Sequence, residues 1–232
     1  MTSNYTPKSS AQLPHFRKLH IRSLQTDALV KIFQTPVLED LLLSFDGSDF
    51  DQQDDCLGRF INASKPTLRK FSVSMVSDYN LVEMLKGMNR VNELRLIGND
   101  EFDGDILKAL VIGRGPENFG YSKCGMSAFR RRLKNAKESK ILLPNLGVLH
   151  VVCKTHSDVQ RAFLDVVRSR RCPEVGSHDG AVARLKTAVL QNINVDQLPT
   201  FGVEVDGIRR QGIDIRILEG VLEEESDWVR SR

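Results

Sequence analysis

The chain has 232 residues, of which 41% are hydrophobic and 27% charged; that mixture supports a sizeable core without disulfides or metals and argues against wholesale disorder. Its net charge of +3 is too small to imply nucleic acid by itself, and no apolar run approaches the roughly 18 residues of a membrane-spanning helix. Residues 1–12 read as a disordered polar tail, and Met1 to Pro14 holds no apolar signal stretch, so an intracellular protein of the cytoplasm or nucleus is expected. From residue 13 one pattern recurs: apolar, two residues, apolar, one residue, apolar. The first copy is Phe16, Leu19 and Ile21, and it is followed by a helical pattern over Thr26 to Phe33 with Leu29, Ile32 and Phe33 on one face. The second is Leu38, Leu41 and Leu43, followed by a helical pattern over Asp55 to Ile61. The third is Leu68, Phe71 and Val73, and after it Leu81, Val82, Leu85 and Met88 make an amphipathic stretch over Asp78 to Met88 with Asp78 as N-cap.

The fourth copy is Val91, Leu94 and Leu96, with a helix expected over Asp105 to Val111. The fifth is Leu146, Leu149 and Val151, with a helix expected over Ser157 to Arg168. The sixth, weaker, is Leu185, Ala188 and Leu190, with a less regular helix over Asp196 to Arg209, and an alternating run of Ile213, Ile215 and Ile217 closes the series. The last two apolar positions of each copy are one residue apart, the period of a strand with one buried face. The middle apolar positions are separated by 22, 30, 23, 55, 39 and 27 residues, and the 55 marks either one unit with a long insertion, placed at 113–140, or two units with one degraded. Pro14, Pro36, Pro66 and Pro144 stand just before four of the copies, where each stops any preceding helix. Strands alternating with short helices predict an α/β fold: a parallel, curved sheet of about six or seven strands with helices on its convex side.

Val91-Asn92-Glu93-Leu94-Arg95-Leu96-Ile97-Gly98-Asn99 resembles the leucine-rich-repeat core L-x-x-L-x-L-x-x-N, and the copies at Leu38–Leu43 and Leu146–Val151 resemble it without the terminal Asn. The layout of residues 13–220 is similar to the repeat region of F-box proteins of the divergent fungal kind. That resemblance implies an irregular leucine-rich-repeat-like solenoid acting as a non-catalytic protein-interaction module, with a ubiquitination substrate as its partner. Leu13-Pro14 runs straight into a repeat strand, so no F-box is read in this chain, and docking to a ligase adaptor would need one outside it. A free-standing scaffold or regulator without a ligase link is the alternative of the same class, and a small α/β enzyme using the Gly113 to Gly120 loop is the alternative from another.

In strands of this kind the residues beside the core positions face outward on the concave side. Here they are His20, Arg22, Leu42, Ser44, Ser72, Ser74, Arg95, Ile97, His150, Val152, Val189 and Gln191. Exposed apolar positions beside Arg and His make a partner surface, or simply a tolerated one. Other features carry less chemistry. His150, Cys153 and His156 have a superficial metal-ligand spacing, but alternation puts His150 and Cys153 on opposite faces and no fourth ligand is near. Gly113 to Gly120 lacks the Lys-Ser or Lys-Thr ending of a phosphate loop. Arg130-Arg131-Arg132-Leu133-Lys134 reads as a solvated helix face, an import signal or acidic-partner site, or a nucleic-acid patch, the last weakened by 6% aromatics. No cofactor, metal or catalytic residue is expected, and the four cysteines read as reduced and mostly buried. Residues 221–232 form an acidic tail around Glu223-Glu224-Glu225, with Trp228 as a docking residue or a cover for the last repeat.

Overall fold

The final two apolar positions of every sequence copy fall inside a five-residue strand. The computed structural model describes residues 11–12, 15–22, 33–34, 37–44, 62–63, 65, 67–74, 78–98, 102, 104–112, 141–153, 157–171, 182–191 and 200–218. Its strands are β1 (Ala11–Gln12), β2 (Lys18–Arg22), β3 (Phe33–Gln34), β4 (Asp40–Ser44), β5 (Lys70–Ser74), β6 (Glu93–Ile97), β7 (Val148–Val152), β8 (Thr187–Gln191) and β9 (Asp214–Leu218). The helices are α1 (Asp78–Leu85), α2 (Asp105–Leu110), α3 (Ser157–Ser169) and α4 (Phe201–Arg209). Among the described residues β2, β4, β5, β6, β7, β8 and β9 form one seven-stranded sheet in that order, every pair parallel, while the short β1 and β3 pair separately. The fold class is therefore α/β, with spatial order in the main sheet following chain order.

Register converts the sequence repeat into rows. Leu19, Leu41, Phe71, Leu94, Leu149, Ala188 and Ile215 stand side by side, and two residues on Ile21, Leu43, Val73, Leu96, Val151, Leu190 and Ile217 do the same. A one-residue slip anywhere would turn an apolar row to the other face, so burial fixes the register of each pair. Both rows pack into one core with α1 to α4, and only Leu19 and Ile217, on the end strands, are partly uncovered. The first apolar position of each copy is also buried, at Leu38, Leu68, Val91, Leu146, Leu185 and Ile213. Phe16 is the exception, at 42% exposure, because among the described strands β2 stands at the end of the sheet.

The helices cover the core face. In α3, Val159, Ala162, Phe163, Val166 and Val167 recur at helical spacing and are all buried, and the helix carries Asp158 in its first turn and Arg168 in its last, each favoured by the helix dipole. Gly104, at φ 80°, lets the start of α2 approach α3: a Cβ there would stand 3.4 Å from the Val159 Cα. Immediately after α3, Arg170 is fully buried. Its Nε donates to the Leu110 carbonyl (3.0 Å), its Nη1 to the Leu143 carbonyl (2.9 Å) and its Nη2 to the Leu142 carbonyl (2.6 Å). One guanidinium thus joins the last residue of α2 to the segment that leads into β7. Those two points flank the long insertion in sequence.

Several boundaries differ from the sequence reading. The helix expected over Asp78 to Met88 stops at Leu85, because Gly87 takes the left-handed conformation at φ 82°. Phe33, expected at the end of a helix, belongs to β3, whose partner β1 lies in the stretch expected to be tail. The last helix is described from Phe201 rather than Asp196. The helical patterns at Asp55 to Ile61 and over most of Thr26 to Phe33, the insertion at 113–140 with its Arg130 to Lys134 cluster, and the tail at 221–232 lie outside the described residues.

Candidate protein-binding face

Alternation along each strand sends one side chain in two away from the helices. Three further rows result. The first is Lys18, Asp40, Lys70, Glu93, Val148, Thr187 and Asp214; the second is His20, Leu42, Ser72, Arg95, His150, Val189 and Arg216; the third is Arg22, Ser44, Ser74, Ile97, Val152, Gln191 and Leu218. Register therefore brings all twelve residues singled out in the sequence onto one sheet face, in the second and third rows. Leu42 and Val152 on this face are buried, yet neither belongs to the core cluster with the helices. The seventh strand adds Arg216 and Leu218, which the sequence reading left out although the Ile213, Ile215, Ile217 alternation already placed them outward. Leu218 is 42% exposed.

The face is polar in character but closely shielded in its middle. Ser72 is only 2% exposed and Arg95 5%, and Leu42, Ser44, Ser74, Val152 and Gln191 are likewise buried. Ser72 lies in register between Leu42 and Arg95, both of them buried as well. The reachable positions are His20, Arg216 and Leu218, all exposed, and Ile97, His150 and Val189, all half-buried. Polar side chains bond one another across the strands. Ser44 Oγ and Ser74 Oγ are 3.0 Å apart, His150 Nε2 and Gln191 Oε1 3.2 Å, and Lys70 is ion-paired with Glu93. These cross-strand contacts hold the face in a fixed pattern before any partner arrives.

Within this pattern the environment of His150 changes its titration. Burial, reinforced by the neighbouring Arg95 cation, lowers it from 6.5 to about 4, against opposing contributions from the Gln191 hydrogen bond and Glu93. A base depressed in the folded state binds fewer protons folded than unfolded between pH 4 and 6.5. Stability therefore rises with pH through that window, and its His150 share is lost as pH falls through it. The His150→Gln variant is expected to lose less stability than the native chain between pH 6.5 and 4, by at most about 3 kcal/mol. Urea unfolding at both pH values measures it, and identical losses in the two proteins would show that His150 carries no such linkage.

The remaining chemistry is sparse. Cys153 is a buried cysteine outside any disulfide, on the core side of the sheet and opposite in alternation to His150, as its spacing in sequence implies. His156 and the Gly113 to Gly120 loop lie outside the described residues. Among the described residues no group of three or more His, Cys, Asp or Glu is placed to hold a metal ion, and no helix is long and apolar enough to cross a membrane. A shallow cavity of about 330 Å³ at the start of β2 and β4 is lined by His15, Arg17, Val37, Glu39 and Thr67. Compared with family models, with curated proteins and with solved structures, the chain finds no match.

Proposed function

We propose that this chain is a non-catalytic protein-interaction module, a leucine-rich-repeat-like solenoid whose sheet face turned away from the described helices binds another protein. The observation that carries this reading is the stacking of seven parallel five-residue strands in chain order, with one pair of rows given to the core and the other rows unclaimed by any described helix. A structure built that way presents a long surface of neighbouring side chains, each supplied by a successive unit. The cross-strand bonds at Ser44, Ser74, His150 and Gln191 pre-order that surface, which lowers the entropy cost of binding. Its mixture of arginine, histidine and apolar side chains suits a protein partner better than a small molecule. The resemblance to F-box repeat regions makes a ubiquitination substrate one class of partner, with the transfer chemistry performed elsewhere. A scaffold without a ligase link would use the same face.

Photo-crosslinking tests it. A benzoyl-phenylalanine placed at His150 or Val189 is expected to join a discrete protein in cells, and the same residue at Arg161, exposed on α3, is expected not to. Equal adducts at all three positions, or none at the first two, would refute binding through this face. Ligase subunits among the adducts would select the first class of partner over the scaffold.

A further inference from the structure

The backbone ladder of the sheet continues one residue before each strand. The Arg17 carbonyl accepts from Glu39 and Asp40, that of Glu39 from Arg69 and Lys70, and that of Arg69 from Asn92 and Glu93. The series goes on from the Asn92 carbonyl to Gly147 and Val148, and from the Gly147 carbonyl to Lys186 and Thr187. Arg17, Glu39, Arg69, Asn92, Gly147 and Lys186 thus form a column across six strands at the edge where the strands begin. Two residues further out, His15, Val37, Thr67, Arg90, Asn145 and Arg184 occupy the next positions along the same rim.

These two columns hold five Arg or Lys against Glu39 as the single acid, a charge of +4 where the whole chain has +3. Glu39 lies 3.9 Å from Arg17, at one end. Beyond it Arg69, Arg90, Arg184 and Lys186 are all exposed, and none has an ion pair with a described residue. Arg184 gives one Nη to the Gln211 carbonyl at 3.0 Å, which orients it and leaves its charge unneutralised. Between these cations stand Asn92 and Asn145, neutral and exposed, so no carboxylate interrupts the strip from β5 to β8. The chain ends of the helices add to it, since Lys86 follows α1 and Arg210 follows α4. Helix C-termini carry partial negative charge and favour cations there, which accounts for those two residues. It does not account for Arg69, Arg90, Arg184 or Lys186, which belong to the turns before strands.

We infer that this basic rim, Arg69, Arg90, Arg184 and Lys186, is a second docking surface, and that it takes an acidic polypeptide segment. Arg69 and Lys186 are three strand spacings apart, about 14 Å, which an extended peptide covers in about four residues. A short run of Asp and Glu therefore reaches both ends of the strip, and the arginines offer paired donors to its carboxylates. From β5 to β8 the two columns hold no aromatic side chain, so that stretch lacks the stacking platforms that single-stranded nucleic acid uses.

The test uses the full chain and a fluorescein-labelled ten-residue peptide of alternating Asp and Glu, followed by anisotropy at low and physiological salt. Binding is expected, weakening as salt rises, with at least a tenfold loss of affinity in an Arg69→Glu, Arg90→Glu, Lys186→Glu variant whose circular dichroism matches the native chain. A His150→Glu variant, altered on the sheet face, is expected to bind the peptide unchanged, which keeps the rim separate from the face proposed above. Absence of binding, equal binding by the rim variant, or loss of binding only on charge reversal at Arg130 to Arg132 would overturn the inference. Tighter binding of a 20-base-pair DNA duplex than of the peptide at the same salt would assign the rim to nucleic acid instead.

Discussion

Replacing Arg170 with methionine is expected to cost the fold about 3–5 kcal/mol, the range seen when one partner of a buried charged network is removed. The guanidinium has no surface to return to, being fully buried, and burial lowers it to about 10, still protonated at neutral pH. Its charge is stabilised by three carbonyls, of Leu110, Leu142 and Leu143, rather than by a carboxylate. Methionine fills a similar volume but removes the guanidinium donors from all three oxygens, of which that of Leu143 keeps the Leu146 N–H. Lysine keeps the charge but not the planar fork, so Arg170→Lys is expected to recover only a minor part of the loss. The urea midpoint should fall by about 1 M or more in both variants. A methionine variant within about 1 kcal/mol of the native chain would mean that the three bonds only balance the cost of burying the charge.

The second large effect separates two phenylalanines. Phe71 stands in β5 between Leu41 and Leu94, at 0% exposure, and Phe71→Ala should cost about 3–5 kcal/mol through lost burial and the cavity left behind. Phe16 opens the first copy of the same repeat, yet Phe16→Ala should change stability by less than about 1 kcal/mol, because at 42% exposure it has little burial to lose. Thermal or urea unfolding of the two variants side by side checks the contrast. Equal costs would mean that the end of the sheet at β2 is covered as fully as its middle.

Much of this architecture was legible in the spacing of apolar residues. The triplets placed all seven strands of the main sheet because burial of one face imposes a two-residue period, and helical spacing placed α1, α2 and α3 to within a few residues. β1 and β3 were not legible, since strands of two residues carry no period. The twelve outward positions could be listed, because alternation is local. Their shielding could not, because Leu42, Ser72 and Arg95, all buried, are neighbours only through register. Arg170 and Arg171 are adjacent in sequence, and nothing there tells which of them turns inward toward three carbonyls. The rim was invisible for the same reason as the shielding: Arg69, Asn92, Gly147 and Lys186 are separated along the chain but consecutive across the ladder.

That spatial order follows chain order also bears on how such a molecule changes length. Each inner strand of the main sheet touches the one before it and the one after it, so duplicating or deleting a unit between two of the turns that precede the strands re-forms a single junction and leaves the others as they were. The sheet would lengthen or shorten by about 4.8 Å each time. Every row, the core pair and the outward three alike, would gain or lose one residue. A lineage of such chains can therefore vary its reach, and the side chains it displays, one unit at a time.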